Sequence, residues 1–192
     1  MDTVFKRNLA TLAQDKSKEY REGIPYPNIV FDDFRSWGRR DDQFQNKFGS
    51  RGRDLIPQKT LKLIDELNSQ AFLDFLSDLT GIQGLVADHN LVGAGLHQIA
   101  RDGYLAIHAD FNKTNHRDRR LNVLVYLNED WNESWGGSFE LWNRDLTKKV
   151  KSVSPIFNRV VIFNTDETSY HGHPKPLCCP LDKTRKSIAL YY

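Results

Sequence analysis

The stretch Gly103-Tyr104-Leu105-Ala106-Ile107-His108-Ala109-Asp110 alternates along its length. Side chains of a strand point to opposite faces with a period of two, so the spacing predicts Tyr104, Ala106, His108 and Asp110 on one face and Leu105, Ile107 and Ala109 on the other. The second face suits a core. The first sets an imidazole and a carboxylate two residues apart behind a small alanine, which leaves room for a polar occupant, most simply a cation. Alone, His-x-Asp is a common chance pattern. The reading therefore needs a third ligand and an anchor from elsewhere in the chain.

Two imidazoles and one carboxylate on one side of a metal form the set that holds non-haem Fe(II) with positions left open. Among the six histidines, His89 and His116 fall in expected loops, so the third ligand comes from His97, His171 or His173. His171 stands 63 residues after His108, which puts it on a late strand of the same sheet. Further on, Arg185, Ser187, Ala189 and Tyr191 share one face of the last strand. A guanidinium on an otherwise small, polar face is suited to a buried dicarboxylate, which it binds through two parallel hydrogen bonds. Asn122 and Tyr126 share a face of the strand Leu121 to Leu127, an amide and a phenol that could bond the same anion. A surface salt bridge is the ordinary role of one arginine, but it leaves the companion His-x-Asp unexplained.

The remaining sequence supplies the frame. With 192 residues the chain is read as one domain, in which 1–90 give helical and loop support and 91–192 the catalytic core. Thr3 to Glu22 carries one narrow apolar stripe, Phe5, Leu9 and Leu12, and reads as a helix. After Pro25 and Pro27, Asn28 to Phe31 reads as a short strand, and the charged segment Arg35 to Pro57 as loop. Two helices follow, one on Leu61, Ile64 and Leu67, the other capped by Ser69 and stopped by Gly81. They are expected to pack outside a sheet. Strands are then expected at Leu91 to Ala100, Tyr104 to Asp110, Leu121 to Leu127, Ser138 to Trp142, Val150 to Val153, Val160 to Phe163 and Ser187 to Tyr192, with turn signals between them. Many short strands punctuated in this way give a mainly β fold with flanking helices (α+β), its core a double-sheet jelly roll.

Bulk properties narrow the function. Lys plus Arg is 27 against 25 for Asp plus Glu, a net charge of +2, so no general field gathers nucleic acid. The basic clusters at Arg39-Arg40, Arg51 to Arg53 and Arg117 to Arg120 are interleaved with acidic residues and read as solvated surface. No apolar run approaches the roughly 18 residues of a membrane span, and no secretory leader is recognised, so no membrane association and a cytoplasmic location are expected. Cys178 and Cys179 are adjacent, which disfavours a disulfide between them and points to a reducing compartment.

Taken together, these motifs resemble the prolyl-hydroxylase branch of the Fe(II)- and 2-oxoglutarate-dependent dioxygenases. The resemblance rests on His108-Ala109-Asp110, then Tyr126-Leu127-Asn128 with Asp130-Trp131, Gly136-Gly137, His171 and Arg185-Lys186-Ser187, in order and spacing over Leu91 to Tyr192, with Pro25 to Phe34 similar to the family's first strand. It implies a double-stranded β-helix (jelly-roll, cupin-like) core. It also implies Fe(II) on His108, Asp110 and His171, the distal carboxylate of 2-oxoglutarate on Arg185 and Tyr126 with help from Ser187, O2 as oxidant, and ascorbate as a reductant. His173 is the rival for the distal metal position, and His171 is preferred because it is the first residue after the turn. Asp110 argues for hydroxylation over halogenation. Gln98 departs from the tyrosine that related prolyl hydroxylases carry ten residues before the first histidine, and the long His171 to Arg185 loop is expected to cover the pocket. The substrate is expected to be peptidyl or a small molecule. Two other readings use the same residues: a non-catalytic jelly-roll binding protein presenting Trp131, Trp135 and Trp142, and a zinc enzyme, for which Arg185 has no purpose.

Overall fold

The computed structural model describes residues 3–32, 56–110, 113–114 and 117–192. Most of the expected loop after Asp32, with Arg39-Arg40 and Arg51 to Arg53, lies outside the described residues, as do His116 and the side chain of Phe5. In chain order the elements are α1 (Thr3–Arg21), β1 (Asn28–Phe31), α2 (Gln58–Leu67), α3 (Gln70–Thr80), β2 (Gly95–Ile99), β3 (Leu105–His108), β4 (Lys113–Thr114), β5 (Arg117–Asp118), β6 (Leu121–Tyr126), β7 (Phe139–Trp142), β8 (Lys149–Val153), β9 (Val160–Asn164), β10 (His171–His173) and β11 (Arg185–Tyr191).

Two antiparallel sheets carry the fold. The larger runs β1-β9-β6-β11-β2 and the smaller β3-β10-β7-β8, with β4 and β5 a separate hairpin. This is the expected jelly roll with flanking helices. All six residues of β6 are buried, because the sheet is covered on both sides. Val123 and Val125 pack outward with Val160, Ile162, Ile188 and Leu190 against Leu9, Ile64, Phe72, Phe75 and Leu76 of the helices. Leu124 and Tyr126 pack inward with Phe163 and Ala189 against Phe139 and Leu141 of the smaller sheet. Two cores thus share β6, β9 and β11.

The helices follow their apolar spacing, and Gly81 ends α3 in the left-handed region at φ 77°. Ser69 does not cap as expected. Its hydroxyl donates to the Glu66 carbonyl at the end of α2 instead of accepting from α3. The strand expected from Leu91 starts only at Gly95, because the Asp88 carboxylate accepts from the backbone N–H groups of Asn90 and Val92 and folds that segment into a turn. No helix among the described residues is long and apolar enough to cross a membrane.

One irregularity positions the site. His171 pairs with His108, but His173 pairs with Leu105, so two residues of β3, Ala106 and Ile107, oppose the single Gly172. Strict alternation is therefore interrupted just before His108, and the face shared by Tyr104, Ala106, His108 and Asp110 in the sequence reading is broken ahead of the histidine. Gly172 is required there: a Cβ on it would lie 2.8 Å from the carbonyl oxygens of both Leu105 and Ala106. Gly172→Ala should push β3 away from β10, lowering the melting temperature and weakening divalent-metal binding together. Calorimetric melting and a Co(II) titration of the variant check this; a variant with the melting temperature and affinity of the parent would contradict it.

Candidate metal centre

The smaller sheet brings the ligand candidates together. His108 ends β3, Asp110 follows two residues later, and His171 begins β10 directly across from His108. Their donor atoms lie within 4.8 Å of one another, and His108, Asp110 and His171 form the only group of three or more such residues among those described. His173 is not in the group. His97 stands on β2, opposite Ser187 on the larger sheet, and is exposed.

Each imidazole is oriented by its own backbone. Nδ1 of His108 lies 2.8 Å from the Ala106 carbonyl, and Nδ1 of His171 lies 2.9 Å from that of Ser169. A carbonyl only accepts, so each Nδ1 carries a proton and each Nε2 is turned to the shared point, where a cation can take the place of its proton. Both Nε2 atoms face Asp110, that of His108 at 3.3 Å from Oδ1 and that of His171 at 3.2 Å from Oδ2. Burial alone would raise the Asp110 carboxyl, but hydrogen bonds from the facing imidazoles, whose Nε2 protons a bound cation would displace, outweigh it and hold the group well below the usual carboxylate range. The same contact raises His108 above its ordinary value, against the opposing effect of burial. Three donors on one side of a point, with two neutral rings and one anion, suit a divalent cation with open positions.

Asn122 serves this carboxylate. Its Nδ2 donates to Asp110 Oδ2 at 2.8 Å, and its Oδ1 is buried without a partner. This departs from the expectation that Asn122 shares an anion with Tyr126: the two residues are four apart on β6, and the amide lies at the Asp110 end of the strand. Strand alternation showed only that both face inward.

Arg185 begins β11 and is 5% exposed. Its Nε donates to the Gly137 carbonyl at 2.7 Å and its Nη2 to the Tyr126 hydroxyl at 3.3 Å, with the guanidinium carbon 5.0 Å above the Tyr126 ring. No carboxylate among the described residues pairs with it. A buried cation without an anion is costly, so the site is arranged for an anion supplied from outside. Burial, against the pull of Arg185, keeps the Tyr126 phenol protonated, so its hydroxyl can donate to such a group. Ser187 lies across from Tyr126, buried on the neighbouring strand. The residues present thus fit both a ferrous ion and a dicarboxylate.

The segment around Arg185 explains two further motifs. Gly137 has φ 72°, and a Cβ there would come within 2.5 Å of Leu177 and 3.0 Å of Arg185. Asn128 is buried and joins β11 to the loop before β9, donating to the carbonyls of Pro155 and Lys186 and accepting from the Lys186 N–H. The loop from His171 to Arg185 is tied down through Leu177, whose N–H donates to Gly103 and whose carbonyl accepts from Asp102. Leu177 also packs against Gly137, beside Arg185. Trp131 is buried with Leu177 and Cys179, and Trp135 packs edge-on against it at 5.3 Å, so these tryptophans are packing residues. Both cysteines are free.

Gln98 does not reach the pocket. It pairs with Lys186 on the face opposite that of Arg185 and Ser187, and donates to the Thr184 hydroxyl at 3.0 Å. Sequence reasoning gave His173 only as a rival metal ligand. It is 2% exposed, neither ring nitrogen has a partner, and burial, with Arg185 and His108 nearby, pushes it down to about 3.

Comparison with known proteins agrees with this geometry. No curated protein sequence matches the chain. A prolyl hydroxylase from Trichoplax adhaerens, solved in complex with a hypoxia inducible factor oxygen degradation domain peptide fragment, shares the fold at a TM-score of 0.61 and 17% identity, covering 100% of this chain and 93% of that one. A Pseudomonas putida prolyl-4-hydroxylase matches at a TM-score of 0.40 and 20% identity over 50% of this chain, and a prolyl 4-hydroxylase from Phytophthora capsici at 0.48 and 23% over 68%. These two matches span 49% and 41% of the other chains, less than half of their length. The model of the 2OG-Fe(II) oxygenase superfamily matches residues 94–192, just over half of the chain, and the chain therefore belongs to that superfamily, which uses Fe(II), 2-oxoglutarate and O2.

Proposed function

We propose that the chain is a hydroxylase that couples oxidation of 2-oxoglutarate to insertion of oxygen into an unactivated C–H bond of a prolyl or other amino-acid residue, with succinate and CO2 as coproducts. One observation carries the reading: two imidazole Nε2 atoms converge on a single carboxylate, while a buried guanidinium on the facing sheet has no carboxylate partner among the described residues. The peptide held by the Trichoplax structure supports a peptidyl substrate.

His108, Asp110 and His171 would hold the iron and leave its remaining positions to cosubstrate and oxygen. Bound there, Fe(II) with 2-oxoglutarate and O2 supplies the oxidising power that breaks the C–H bond. The protein's own part is binding, orientation and exclusion of water. Arg185 and Tyr126 would bond the distal carboxylate, so the keto acid end is directed at the metal. The carbonyl of Gly137 fixes the guanidinium before the cosubstrate arrives, which lowers the ordering required on binding. Asn122 holds the Asp110 carboxylate in place from the side.

Anaerobic titration tests the reading. Fe(II) and 2-oxoglutarate together should give a weak visible charge-transfer band that neither gives alone; a zinc enzyme or a binding protein would give none. Asp110→Ala should abolish succinate formation. Arg185→Ala should chiefly raise the 2-oxoglutarate requirement, by about tenfold or more for the loss of a charged hydrogen-bonding partner. An unchanged requirement would remove Arg185 from the anchor. Incubation with a cell extract should add the mass of one oxygen to a peptide residue; the same gain on a free metabolite alone would reject the peptidyl assignment.

The pH dependence follows from His108. The folded protein raises its pKa, so protons compete with the metal from a pH above the ordinary histidine value, and affinity should fall as pH drops through that region by about tenfold per unit for one competing proton. Co(II) binding measured between pH 8 and 5.5 checks this, and a flat profile would contradict it.

A further inference from the structure

Within the smaller sheet, His173 is the one residue whose surroundings the metal site leaves unexplained. Its ring is enclosed between the sheets, and neither Nδ1 nor Nε2 has a hydrogen-bond partner. A neutral imidazole has one donor and one acceptor, and enclosing both without partners loses their hydration with nothing in return. Buried polar atoms in folded proteins nearly always have partners, so the ring calls for a group that comes from outside.

Its position identifies that group. His173 is the second residue after His171 on β10 and pairs with Leu105, three residues before His108 on β3. On its other side β10 pairs with β7, His171 with Leu141 and Gly172 with Glu140. From there β10 runs antiparallel toward the start of β7 at Phe139, two residues after Gly137, whose carbonyl holds Arg185. The imidazole thus stands between the metal ligands and the anchor, at the anchor's end. It cannot reach the metal group as arranged, since it is absent from the convergent set.

The anchor leaves room for a further donor. Arg185 spends one N–H bond on Gly137 and one on Tyr126, out of five. A carboxylate offers about four lone-pair sites; a guanidinium meets it through at most two parallel N–H bonds and the phenol adds one, which leaves a site open. We propose that His173 is a further donor to the distal carboxylate of 2-oxoglutarate, completing a cradle with Arg185 and Tyr126. This rests on the reading that the pocket takes 2-oxoglutarate. His173 is then a cosubstrate-binding residue, and its N–H selects for a second carboxylate at the far end of the keto acid.

The test compares two keto acids on the Mn(II)-loaded protein without oxygen, by calorimetry: 2-oxoglutarate, and 2-oxovalerate, which lacks the distal carboxylate. His173→Leu should weaken 2-oxoglutarate by about tenfold to a hundredfold, the loss of a hydrogen bond to a charged group, and leave 2-oxovalerate and Mn(II) affinity within about twofold. His173→Gln, which keeps an N–H donor, should recover part of the loss. His173→Phe, nearer in volume, serves if the leucine variant does not fold. An unchanged ratio of the two affinities in whichever apolar variant folds would overturn the proposal, because a purely packing role weakens both acids alike. If the parent protein itself failed to prefer 2-oxoglutarate, the underlying reading of the pocket would fall instead.

Discussion

The site depends on how two imidazoles are aimed. In each, Nδ1 is bonded to the carbonyl two residues earlier on its own chain segment, Ala106 for His108 and Ser169 for His171. Local backbone therefore sets the tautomer, and pairing of β10 with β3 sets the separation. With both Nε2 atoms brought to face Asp110, the arrangement concentrates donor atoms where no Lys or Arg among the described residues pairs with the carboxylate. A buried carboxylate facing two imidazole nitrogens is poor as a structural device and well made for a divalent metal. The bulge in β3 and the absence of a side chain at Gly172 are what allow the two strands to approach in this register.

The larger sheet contributes the complementary charge. Arg185 is fixed by Gly137 and Tyr126 from two different elements, and β11, on which it sits, is locked to its neighbours by Asn128. The helices pack on the outer face of that sheet and leave its inner face for the site. The two sheets thus divide the work: the smaller carries three ligands for a cation, the larger an anchor for an anion, and the barrel holds them at a fixed distance. Each charge would be unfavourable alone.

Much of this was legible in the sequence, for physical reasons. His108, Asp110 and Arg185 announce themselves because chemistry-bearing residues stand on strand faces that are otherwise small or apolar, and the apolar runs of β6, β9 and β11 are nearly continuous because those strands are buried on both faces. The helices at Leu61 to Leu67 and Phe72 to Leu79 follow from spacing alone. Choosing His171 over His97 and His173 needed the family resemblance, since β10 has only three residues, His-Gly-His, and no periodicity to read. What escaped was set by tertiary geometry. Asn122 and Tyr126 share a face but not an end of β6; Gln98 turns away from the pocket because the register sets it across from Lys186, between Arg185 and Ser187; and the bulge in β3 has no signal beyond a glycine on the opposite strand. The unpaired ring of His173 is visible only once both sheets enclose it.

The most direct test is the location of the metal. Anomalous diffraction from crystals of the Mn(II)-loaded protein should place a single strong peak within ligand distance of Nε2 of His108, Nε2 of His171 and a carboxylate oxygen of Asp110, with His173 outside its coordination sphere. A peak elsewhere, or one bound through His173 in place of His171, would contradict the account.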